Sequence, residues 1–91
     1  MTNLKEPVEE SVHDEVARLT REIEELSKEQ VSLVNLVGKL RDSEDPANGV
    51  FHHQEIFEAQ QNKLRLEVEI QMRQAKINRL RLGEELHSRL Q

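Results

Sequence analysis

Apolar residues return at alternating spacings of four and three through the first half of this chain. Val12, Val16, Leu19, Ile23, Leu26, Gln30, Leu33, Val37 and Leu40 form one unbroken ladder, and eight of its nine rungs are apolar. This is a heptad repeat, with Val16, Ile23, Gln30 and Val37 at a and Val12, Leu19, Leu26, Leu33 and Leu40 at d. Such a seam predicts a helix over 11–41 whose apolar edge is covered by another helix. Residues 1–10 are predicted to be flexible, although Pro7 is suited to a first helical position and Glu9 and Glu10 to a first turn.

The ladder ends where the chain reads Asp42-Ser-Glu-Asp-Pro-Ala-Asn-Gly49. Pro46 disfavours helix at Asp45, and Asn48-Gly49 is a turn dipeptide, so residues 42–49 are predicted to be a loop of ordinary length. From residue 50 to 90 no proline and no turn cluster occurs. Good helix formers dominate there, which predicts a second helix of about 40 residues, near 60 Å long. Residues 64–72 also alternate strictly between apolar and polar, the period of a half-buried strand. The helical reading is preferred because the flanks carry no strand boundary and a lone strand has nothing to pair with.

Placed on a helical wheel, the second half carries two apolar stripes. Phe57, Leu64, Val68, Met72, Ala75, Leu82, Leu86 and Leu90 share one face. Ala59, Leu66, Ile70, Ile77 and Leu80 lie opposite. A helix with opposed stripes is normally sandwiched between neighbours. A lone two-helix hairpin cannot bury this much apolar surface, so the predicted class is all-α: a helical hairpin within an oligomeric bundle or coiled coil. The alternative is an extended parallel coiled coil, which β-branched a and leucine d positions favour. Against that rod, Glu15, Glu22 and Glu29 would meet Thr20, Ser27 and Val34 rather than basic partners.

Charge supports a fold-back in part. The chain carries 13 Lys+Arg against 18 Asp+Glu, a net charge of −5. The excess is confined to residues 1–45, with 6 basic against 12 acidic residues, while residues 46–91 hold 7 against 6. Folding back near position 46 would bring Arg73, Lys76, Arg79 and Arg81 towards Asp14 and Glu15. The same register would crowd Glu22, Glu24 and Glu25 against Glu67 and Glu69. An acidic chain is a poor partner for nucleic acid or anionic lipid. Absence of cysteine excludes disulfides and thiolate metal sites and fits an intracellular, cytoplasmic protein. No run is long enough to span a membrane.

The candidate chemistry is sparse. Gln30, the polar rung, suits register control, because a polar a residue penalises slipped pairings. His52-His53 offers a metal only the weak pair of His52 with Glu55, three residues on, since Ile56 and Phe57 occupy the other positions a site would need. Arg73, Lys76, Arg79 and Arg81 spread around the wheel without interleaved aromatics, unlike a nucleic-acid patch. Glu67 and Glu69 point apart on a helix. No catalytic residue, cofactor site or metal site is predicted, and the chain reads as a non-enzyme with no small-molecule substrate. The residues expected at oligomer or partner interfaces are the ladder of Val12 to Leu40 together with Phe57, Leu64, Leu66, Val68, Ile70, Met72, Ile77 and Leu80.

Helix, a loop containing Asp45-Pro46, then a Gln- and Leu-rich helix loosely resembles, over residues 36–72, the small hairpin proteins of type III secretion, both needle subunits and their small chaperones. The chain departs from the needle subunits in its heptads and its lack of Trp. The sequence therefore points first to a structural or adaptor protein that self-assembles through a coiled coil, as a homodimer or higher oligomer, and presents helical surface to a helical partner. The alternative that the resemblance implies is a small acidic chaperone or secretion-apparatus component that shields a partner's amphipathic helix.

Overall fold

A computed structural model describes residues 8–89, with side chains from Ser11 onward apart from Ser88. It consists of helix α1, Val8–Asp42, a single 3₁₀ turn at Pro46–Asn48, and helix α2, His53–Arg89. No strand occurs among the described residues, and 64–72 lies inside α2. The alternating pattern there is two helical stripes, not the two faces of a sheet. The helices lie side by side along their whole length in a plate of 70 × 27 × 14 Å. Its radius of gyration is 20.8 Å, against about 12 Å for a compact chain of this size. The plate is one helix thick, so no described residue covers its broad faces.

The reversal is built by four residues. Asp45 and Val50 exchange backbone hydrogen bonds, each amide donating to the other's carbonyl at 2.9 Å. Gly49 closes the turn at φ +71°, a left-handed conformation that glycine adopts without steric cost. Asn48 Nδ2 donates to the Asp45 carboxylate at 2.6 Å. This pairing holds 50–52 out of the helix, so α2 starts at His53 rather than at residue 50. The His52 amide, just before the first turn of α2, donates to the Glu44 carboxylate at 3.0 Å. A negative group there complements the helix dipole. At the other end α1 reaches back to Val8. Residues 1–7, expected to be flexible, lie outside the described residues, as does Leu90.

The α1 ladder faces α2 of the same chain. Leu19 and Val37 are buried, and Val12, Val16, Ile23, Leu26, Gln30, Leu33 and Leu40 are half-buried. From α2 the seam receives Ala59, Leu66 and Ile77, all buried, with Ile56, Ile70 and Leu80 half-buried. Leu66, at 2% exposure, is the most deeply covered large side chain. The α2 rungs also run in threes and fours, from Ile56 to Glu84, but two of them are cationic, Lys63 and Arg73. The core is therefore a single row of apolar contacts with polar interruptions.

Gln30 is one of those interruptions. Its Nε2 donates to the Glu67 carboxylate at 3.0 Å and makes a longer 3.4 Å contact with the Lys63 carbonyl. The polar rung thus meets a polar stretch of α2, which fixes the pairing of the two helices. Glu67 is exposed, so losing its partner returns it to water at little cost. Gln30→Ile is expected to raise the melting temperature, by about 1 kcal/mol of added apolar contact, while loosening register. A circular-dichroism melt with light scattering checks this. A lower melting temperature with an unchanged mass distribution would contradict the seam role of Gln30.

Candidate functional site: the uncovered face of α2

The inner stripe of α2 packs on α1, and the opposite stripe packs on no other element among the described residues. Phe57, Leu64, Val68, Met72, Leu82 and Leu86 are each between 48% and 65% exposed, and Ala75 is exposed among them. From Phe57 to Leu86 this row extends about 44 Å at the rise of an α-helix. Single exposed apolar side chains are ordinary on a protein surface, whereas these lie in one row along α2. The row has two polar members, Gln61 and Arg79, at the same helical spacing. A smaller apolar spot lies near the turn on α1, where Val31, Val34 and Leu36 are exposed.

Cross-helix ion pairs accompany the inward turn of the Leu66–Ile70–Ile77 stripe. Arg73 Nε donates to Glu22 at 2.8 Å, and Lys76 Nζ lies 3.1 Å from Glu15. Both basic residues flank the Leu66–Ile70–Ile77 stripe on one side, and both acids flank the α1 ladder. Rotating α2 to bury the Leu64–Val68–Met72 stripe would carry Arg73 away from Glu22. Arg73 also donates to the Glu69 carbonyl at 3.0 Å and lies 3.5 Å from its carboxylate. One guanidinium thus bridges acids of both helices, which relieves the crowding of Glu22 against Glu69 that the sequence suggested. Arg18 adds contacts to Glu15 and Glu22 at 2.7 and 2.6 Å. Hydrogen bonds from Arg18 and Lys76 hold the Glu15 carboxyl below the usual carboxylate range. Arg73, with Arg18, does the same at Glu22.

The expected approach of four basic residues to Asp14 and Glu15 is realised only by Lys76. Arg73 goes to Glu22, while Arg79 and Arg81 reach no carboxylate among the described residues. The signal for Arg73 was its place on the inner ladder, where an arginine is conspicuous.

The other candidate residues form no centre. His52 Nδ1 lies 3.1 Å from Glu55, and the His53 ring stacks on Phe51 with centroids 5.1 Å apart. Among the described residues no group of three His, Cys, Asp or Glu side chains is placed to hold a metal ion. Among those residues, too, no helix is long and apolar enough to cross a membrane. The interface residues expected from sequence divide cleanly. The α1 ladder, Leu66, Ile70, Ile77 and Leu80 meet within the hairpin, whereas Phe57, Leu64, Val68 and Met72 face outward. No protein-family model matches this chain, and none of the curated proteins or solved structures compared with it does.

Proposed function

We propose that this chain is a non-enzymatic structural or adaptor protein that self-assembles through α2 and presents helical surface to a protein partner. One observation carries the reading: α2 exposes a second apolar stripe, interrupted at Gln61 and Arg79, while its first faces α1. A two-helix plate has little core for its length, and covering the outer stripe adds the layer that domains of this size ordinarily possess. The acidic α1 then forms the outside of the assembly. Val31 and Val34, exposed near the turn, are available to a helical partner.

Size exclusion coupled to light scattering tests this. At tens of micromolar the full chain is expected at a multiple of its 10.7 kDa mass. A fully helical monomer at that concentration would overturn the reading.

A further inference from the structure

The outer stripe of α2 has a symmetry of its own. From Phe57 to Leu82 its members are, in order, Phe57, Gln61, Leu64, Val68, Met72, Ala75, Arg79 and Leu82, with Leu86 one turn further on. By kind they run apolar, polar, apolar, apolar, then apolar, apolar, polar, apolar. Over this span the row reads the same in both directions, with its centre at the level of Ile70, while Leu86 lies beyond it and has polar His53 and Gln54 at the mirrored distance. Measured from that centre, each member has a counterpart of the same kind at the same distance, to within one residue.

A surface that reads alike in both directions along a helix is self-complementary under a two-fold axis, as an isologous dimer requires. We infer that the outer face of α2 binds a second copy of this chain in antiparallel orientation, with the two-fold axis crossing α2 beside Ile70. This rests on the self-assembly reading above and specifies its geometry. Val68 then meets Met72 of the second copy, Leu64 meets Ala75, and Phe57 meets Leu82. Large side chains face smaller ones at the Leu64–Ala75 level, where a helix pair can approach closely. Gln61 falls level with Arg79 of the second copy, so the two polar members of the seam pair with each other.

The polar members decide the orientation. In a parallel pair Arg79 would lie against Arg79 of the second copy, placing two guanidinium groups side by side within an apolar seam. Antiparallel pairing gives each Arg79 an amide oxygen to donate to instead. Arg79 is available for this, because it makes no ion pair with the described carboxylates of its own chain. Charges on one flank of the stripe are already engaged at home, Glu69 with Arg65 and Arg73 and Lys76 with Glu15. They neither drive nor block the approach. The product is a four-helix layer in the order α1, α2, α2, α1, with both apolar stripes of each α2 covered.

The absence of native cysteine makes disulfide trapping a direct test on the full chain. Leu64→Cys and Ala75→Cys are prepared separately, mixed, allowed to exchange subunits and mildly oxidised. Both positions are exposed in the hairpin, and circular dichroism verifies that it remains folded. In the antiparallel pair, Cys replacing Leu64 lies level with Cys replacing Ala75 of the second copy. It lies about 18 Å along the axis from its own counterpart, beyond the reach of a disulfide. The mixture is expected to form a covalent heterodimer, and each variant alone is expected to remain uncrosslinked. Phe57→Cys with Leu82→Cys gives a second, independent pair with the same expected result. Crosslinking of Leu64→Cys to itself, or no crosslink from either pair in a chain that is oligomeric by mass, would overturn the antiparallel interface and leave self-assembly standing. A monomeric wild-type chain would overturn both.

Discussion

Leu66→Ala is expected to destabilise this protein by about 2–5 kcal/mol, the range for truncating a fully buried leucine. Leu66 is the most deeply covered large side chain, and it sits in the middle of the row of apolar contacts that joins the two described helices. For a chain near 90 residues each kcal/mol moves the melting temperature by roughly 4–8 °C. The melt should therefore fall by ten degrees or more, at every protein concentration, while the assembled mass is retained wherever the protein is folded. Leu64→Ala, two residues away but on the outer stripe, should behave differently. It should destabilise the assembled form and be nearly silent under dilution. Ile70→Ala, half-buried against α1, should follow Leu66 in kind with a smaller loss. Thermal melts at two concentrations check all three, and equal losses from Leu64→Ala and Leu66→Ala under dilution would contradict the assignment of inner and outer faces.

Much of this was legible from residues alone. The α1 ladder, the turn around Pro46 and Gly49 and the two stripes of α2 are all periodicities, and period is what a helix reads most directly. Which stripe faces α1 was not legible from period, because Leu66–Ile70–Ile77 and Leu64–Val68–Met72 are comparably apolar. The observed choice goes together with long-range ion pairs, Arg73 with Glu22 and Lys76 with Glu15, whose meeting depends on the exact fold-back register. A register centred near residue 46 places Lys76 correctly and Arg73 one turn away from its true partner. The displacement of the α2 start to His53 depended on the Asp45–Val50 backbone pair, which no side-chain pattern encodes. The interface residues expected from sequence all lie on the two helices, but sequence could not divide them into those consumed within the hairpin and those left outside.

Val68→Glu is expected to dissolve the assembly without harming the hairpin. Val68 is 55% exposed, so a glutamate there is solvated in a single chain, and it is a better helix former than valine. In the antiparallel dimer the same substitution places two carboxylates close to the two-fold axis, each against Met72 of the other copy. Burying unpaired charge in an apolar contact costs several kcal/mol, and each 1.4 kcal/mol is tenfold in affinity. Association should weaken by about a hundredfold or more. Light scattering should then give the 10.7 kDa monomer at concentrations where the wild type is larger. An unchanged mass would place the assembly interface elsewhere on the molecule.

The central claim is that α2 needs covering on both faces, once by α1 and once by another chain. Stability that depends on association rises with concentration by mass action, by about 2.7 kcal/mol for each hundredfold. Shared between two chains of this length, that corresponds to roughly 5–10 °C. The most direct test is the melting temperature of the wild-type chain, followed by circular dichroism at 2 and then at about a hundred times that concentration, on the order of 200 µM. The melting temperature should rise across that interval by an amount in this range. A melting temperature that stays constant, in a chain that is helical and monomeric throughout, would mean that the outer stripe needs no covering, and the account would fail.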